Sequence, residues 1–168
     1  MFYEISVLQF SKMLSNMNSI IDKAAANAAS RKIDMDVLLN SRLAPDQFNF
    51  IRQIQILCDT AKRGAAQLAS KEAPVHEDKE KTLDEVKARV QSVINYLETF
   101  SEKDFDKSAT VKISQPRWEG QHVNGKEFLI EYMIPNFYFH LTTAYAILRH
   151  NGVDVGKKDY LGALPFKK

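Results

Sequence analysis

Cysteine is all but missing from this chain. Cys58 stands alone among 168 residues, so no internal disulfide can form, and a lone thiol points to a reducing compartment, the cytoplasm. Long apolar runs are missing too. The longest candidate, around Tyr132 to Leu148, contains Asn136 and His140 and falls short of the ~20 apolar residues that span a bilayer, so no membrane association is expected. The N-terminal MFYEISVLQFSKML lacks the basic lead, unbroken apolar run and small-residue cleavage site of an export signal. Charge of one sign is also lacking: 23 Lys and Arg against 21 Asp and Glu give a net +2, with both signs interspersed. That balance gives no broad electrostatic reason to expect nucleic acid or an anionic surface as partner. No glycine-rich phosphate loop and no nucleophile elbow is present.

What is present is the composition of an ordinary globular protein, 45% apolar and 26% charged. A chain of this length fits one domain, residues 1–168, whose core needs no disulfide or zinc. From Leu8 to Ala28, Phe10, Met13, Leu14, Met17, Ile20, Ile21, Ala24 and Ala28 recur at steps of three and four, the period of a helix with one buried face. Asp34 then caps a short turn carrying Val37, Leu38 and Leu39. Pro45 and Asp46 suit the opening of a second long helix, whose stripe is Ile51, Ile54, Cys58, Ala61, Ala65 and Leu68. The run KEAPVHEDKEK, Lys71 to Lys81, is charged, holds Pro74 and has no apolar period, which predicts an exposed loop.

Thr82 and Glu85 spell a capping box ahead of Leu83, Val86, Val90, Val93, Ile94 and Leu97, the buried face of a third helix. Between Ser101 and Lys126 the helical period vanishes. Thr110 to Ile113 alternates like a strand, and Asn124-Gly125 is a tight-turn signal, so a short irregular or hairpin excursion is expected between helices three and four. The last helix runs from about Glu127 to Asn151, with Pro135 kinking it or marking a fresh start and Gly152 at a left-handed C-cap. The tail from Val153 to Lys168 is expected to be extended over one end. The fold class is all-α, a four-helix bundle.

The stretch PNFYFHLTTAYAILRHNG, Pro135 to Gly152, concentrates aromatics, an amide and an imidazole on one helix. Helical spacing puts Asn136, His140, Thr143 and Ala144 on a face with Phe137 and Ile147. Two readings follow: a buried histidine fixing helix register, or a pocket between helices, where bundles build their sites. His76, His122 and His150 read as solvated or capping residues. Glu119 to His122 spells Glu-x-x-His, but a single copy in a glycine-bearing loop is not a di-iron motif. Cys58 lies on a buried stripe with no cation evident in sequence, and reads as core. Arg42, Arg52, Lys157 and Lys158 read as solvated surface.

The segments RLAPDQFNFIRQIQ, from Arg42, and PNFYFHLTTAYAILRHNGVDVGKKDYLG, from Pro135, resemble an uncharacterised family grouped with the DinB-like (DinB/YfiT) four-helix bundles of bacterial type. The likeness covers nearly the whole chain. Many proteins of that superfamily resemble metal-dependent enzymes, some of them thiol transferases, with one histidine on the second helix and two spaced four apart on the last. Carried over, His140 matches the second of the last-helix pair, Asn136 takes the place of the first, and the second helix offers only Gln53 or Gln55. Amide oxygens are poor ligands for Zn²⁺ or Ni²⁺.

Three functional expectations follow. The first is a small-ligand pocket bounded by His140, Asn136, Phe137, Tyr132 and Gln53, holding no metal. The second is a degenerate metal-dependent enzyme of thiol transferase or hydrolase type, in which His140 with Asn136 holds a weakly bound divalent ion as cofactor. The third is a non-catalytic homodimeric module with Phe2, Tyr3 and Trp118 as interface anchors. No catalytic residue is assigned.

Overall fold

The structure, a computed structural model, describes residues 1–167. Among them, four long helices enclose the core. Helix α1 (Phe10–Ser30) continues from a wide π-type turn over Glu4–Gln9 and buries all eight residues of its expected stripe. Helix α2 (Met35–Asn40) is capped by the Asp34 carboxylate, which accepts from Asp36 N at 3.0 Å. Leu38 and Leu39 face inward while Val37 faces solvent.

Helix α3 (Phe50–Leu68) begins later than Pro45-Asp46 predicts. Residues 44–47 close only an isolated turn, Gln47 N donating to Ala44 O. Asn49 is the cap, because its Oδ1 takes the otherwise orphan N–H of Arg52 at 3.0 Å. Helix α4 (Leu83–Leu97) opens on the expected capping box, Thr82 Oγ1 accepting from Glu85 N and Glu85 Oε2 from Thr82 N.

The excursion that follows holds three 3₁₀ turns and one minimal antiparallel pair, β1 (Lys112–Ile113) with β2 (Val123–Asn124). Asn124-Gly125 is not its turn. Asn124 instead caps α5 (Gly125–Glu127), its Oδ1 accepting from Glu127 N and its own N–H donating to Glu127 Oε2. Gly125 sits there because a Cβ would lie 1.8 Å from Ser108 O.

A second π-type turn, Phe128–Met133, leads directly into α6 (Ile134–His150). Pro135 falls in the first turn of α6, where its missing N–H costs least, so the last helix is entered through a change of gauge. Gly152, at φ +84°, ends it as expected: Val153 N donates to Leu148 O and Gly152 N to Arg149 O. The tail is more ordered than predicted. Val153 and Val155 are buried, and α7 (Lys157–Leu161) docks on α1 through Asn16 Nδ2 to Tyr160 O and the Lys23–Asp159 ion pair. Lys168, the last residue of that expectation, lies outside the described residues.

The long helices form a closed ring in which α3 packs on α6 and α4, and α1 on α4 and α6. At its centre the rings of Phe10 and Phe137 stack with centroids 3.8 Å apart. No helix among the described residues is long and apolar enough to cross a membrane.

Candidate ligand cleft between α3 and α6

His140 is buried, and its Nδ1 lies 2.7 Å from Gln53 Oε1. Gln53 Nε2 donates to Phe48 O at 3.0 Å, so Oε1 is the acceptor and the imidazole donates from Nδ1 as the neutral tautomer. Burial, reinforced by the nearby Arg52 charge, pushes the His140 pKa down to about 4. The imidazole therefore stays uncharged at neutral pH and holds α6 to α3. Of the two glutamines, Gln53 meets His140; Gln55, two positions on, points to the charged loop, accepting from Arg52 and donating to Glu80.

Beside this tie lies a cleft of about 340 Å³ between α3 and the last-helix segment. Tyr132 and Asn136 line it, with Phe48, Phe128 and the arginines Arg52, Arg63 and Arg117. Asn136 Nδ2 donates to Thr60 Oγ1 at 2.7 Å, which leaves its carbonyl oxygen to accept. The five residues expected to share a pocket thus divide. Tyr132 and Asn136 face the cleft, His140 and Gln53 lie one layer behind it, and Phe137 is fully buried against Phe10 on the core side. The π-type turn sets this division, because it places Phe128 and Tyr132 on the cleft wall ahead of α6.

Sequence reasoning missed a buried charge network that joins α3, α4 and the loop between them. Arg89, on the α4 stripe, donates from Nη2 to Asp59 at 2.8 Å and from Nη1 to Glu80 at 2.9 Å, with Asp78 3.0 Å away. Lys62, whose side chain is fully buried, reaches Asp59 at 3.0 Å and His76 Nδ1 at 2.6 Å. The segment predicted to be a solvated loop is therefore stapled to the bundle by His76, Asp78 and Glu80. A signal was available: Arg89 sits between Val86 and Val90, and a charge inside an apolar stripe implies a buried counter-charge. Burial opposes ionisation of Asp78 and Glu80, but their bonds to Arg52 and Arg89 outweigh it and hold both carboxyls below the usual range.

His76 Nε2 also lies 3.0 Å from Ser92 Oγ, a serine–histidine contact. It is not a nucleophile–base pair. Lys62 donates to Nδ1, so Nε2 carries the proton, and Ser92 spends its own hydroxyl on Arg89 O. Burial and the charges of Lys62 and Arg89 lower the His76 pKa, opposing the imidazolium such a base must form. Cys58 has cations nearby after all, Arg89 and Lys62, but burial dominates and pushes its thiol up to about 12.

The metal that the family resemblance implies finds no fitting donor set. Among the described residues no group of three or more His, Cys, Asp or Glu side chains is placed to hold a metal ion, and beside His140 the last helix offers only the amide oxygen of Asn136, a poor ligand for Zn²⁺ or Ni²⁺. His122 and His150 are exposed. The expected interface anchors pack into their own chain: Tyr3 meets Phe105, Trp118 meets Phe128 and Tyr132, and Phe2 is half-buried on the core.

Fold and site together define an all-α bundle with a polar cleft between its second and fourth long helices. The chain belongs to the family described as Domain of unknown function (DUF1993), which matches residues 2–161. It is similar, at 63% identity and a TM-score of 0.96, to a crystal structure described as a DinB family member protein from Shewanella denitrificans, over 99% of this chain and 94% of that one. That likeness supports the DinB-like fold read from the sequence. No curated protein matches the chain.

Proposed function

We propose that this protein binds a small organic ligand in the cleft between α3 and α6. The observation that supports this most directly is the cleft itself. At about 340 Å³ it has the volume of a small-molecule site, and side-chain polar groups of Thr60, Tyr132 and Asn136 converge on it between aromatic walls. His140 acts as a positioning residue: through Gln53 it fixes the Phe48 carbonyl, and Phe48 is one wall of the cleft. The seam between two helices of a bundle is where such sites are built.

Isotope-labelled protein titrated with two single-ring probes, benzoate and benzamide, tests this. The expected result is saturable movement of the Asn136 side-chain amide and of the Thr60 and Tyr132 resonances by at least one probe. Movement confined to other surfaces, or none up to roughly 10 mM, the weak end of fragment affinity, overturns the reading.

A further inference from the structure

Building on that ligand-binding reading, we propose that the cleft selects small aromatic monoanions, with an arylcarboxylate as the fitting chemistry. The charge around the cleft is unbalanced. Asp59, Asp78 and Glu80 are the carboxylates of the cleft and the network behind it, and they face Arg52, Arg63, Arg89 and Arg117 as well as Lys62. Even with Lys62 counted as neutral, the arginines outnumber the carboxylates, and an arginine does not lose its proton.

The carboxylates are also occupied. Asp59, the one acid lining the cleft, is shared among Lys62, Arg63 and Arg89 at 3.0, 3.2 and 2.8 Å. Asp78 is divided between Arg52 and Arg89, and Glu80 is held by Arg89 and Gln55. Arg117 has no carboxylate partner among the described residues. It donates to the Tyr132 hydroxyl, its guanidinium lying 5.2 Å from the ring centroid, which orders the side chain over the cleft with further N–H donors unspent. A planar fork of this kind matches a carboxylate.

Aromatic selectivity comes from the walls. Phe128 and Tyr132 stack at 5.4 Å on one side, and the half-exposed Phe48 ring, with Arg52 5.7 Å from its centroid, is another wall. An apolar ring between such surfaces and a single negative charge at the mouth satisfy both features, whereas a cation would meet the arginines.

The test is a titration of wild type, Arg117→Gln and Arg63→Gln with benzoate, benzamide and acetate, followed at the Asn136 amide. Both arginines are exposed, and circular dichroism confirms that each variant is folded. Benzoate is expected to bind at least about tenfold more tightly than benzamide or acetate, and Arg117→Gln to remove about that factor for benzoate while leaving benzamide unchanged. Equal affinity for benzoate and benzamide, insensitive to both substitutions, overturns the anion selectivity while the cleft still binds ligand. Acetate binding as tightly as benzoate overturns the aromatic part. No response to any probe overturns this proposal and the ligand-binding reading together.

Discussion

Arg89, a charge set in the apolar stripe of α4, ties that helix to α3 and to the loop between them. Its side chain is 1% exposed, and its guanidinium gathers Asp59 from α3 and Asp78 and Glu80 from the loop ahead of α4. A buried ion pair adds modest stability as a whole because desolvation offsets attraction, but removing one partner strands the others. Arg89→Leu is therefore expected to cost about 3 kcal/mol, read as a shift of the urea midpoint, because three carboxylates lose their shared donor. Arg149→Ala, which removes an exposed and loose contact to Asp154, is expected to leave the midpoint within error. Equal effects from the two substitutions would refute the account of the network.

At the scale of elements, the entry to the last helix depends on a close crossing. Gly125 lies against Ser108 O, and the Ser108 hydroxyl donates to Leu68 O at 2.7 Å, so the excursion, the end of α3 and the start of α5 meet at one point. A methyl group there must push backbone away, and overpacking of this kind costs ~1–3 kcal/mol. Gly125→Ala is expected to destabilise by about 2 kcal/mol and to raise amide exchange at Ser108 and Glu127 before the rest of the chain. A variant as stable as wild type with unchanged exchange would show that the crossing relaxes freely. The crossing was not legible in the sequence, because Asn124-Gly125 carries the same letters for a hairpin turn and for a cap followed by a close approach. The stripe of α1 was legible residue by residue, and that of α4 except for the half-buried Leu83 and the buried Arg89, since burial of one helical face writes a period into the chain. The start of α3 was not: Pro45 is a permissive signal, and Asn49 wins because its side chain makes the hydrogen bond.

For the whole molecule, the part of the site that sequence could reveal was the part that lies along one helix. Asn136 and His140 are adjacent by period alone, but which glutamine meets His140, and which of the two residues faces solvent, depends on how α3 and α6 are rotated against each other. Arg52 and Arg63 share one face of α3, but Arg117 comes from a 3₁₀ turn in the excursion, and nothing in the sequence predicts that it meets them at the cleft. The same assembly makes stability depend on pH in a definable way. His140 has its pKa lowered from 6.5 to about 4 in the folded chain, and His76 is lowered as well. Below pH 6.5 the unfolded chain takes up protons that the folded chain refuses, so stability declines as pH falls from 6.5 towards 4. The slope is expected to be on the order of 1 kcal/mol per pH unit. Asp78 and Glu80, held below the ordinary carboxyl range, act in a second stage: their contribution is present above the unfolded carboxyl pKa and is lost as pH falls through their lower folded values. Urea midpoints measured from pH 8 down to about pH 2 are expected to fall in those two stages. His140→Asn, which keeps a side-chain donor for Gln53 Oε1 but cannot titrate, is expected to make the first stage shallower, leaving the His76 share, and to leave the second unchanged. A variant that declines as steeply as wild type between pH 6.5 and 4 would mean that the buried tie between α3 and α6 does not refuse the proton.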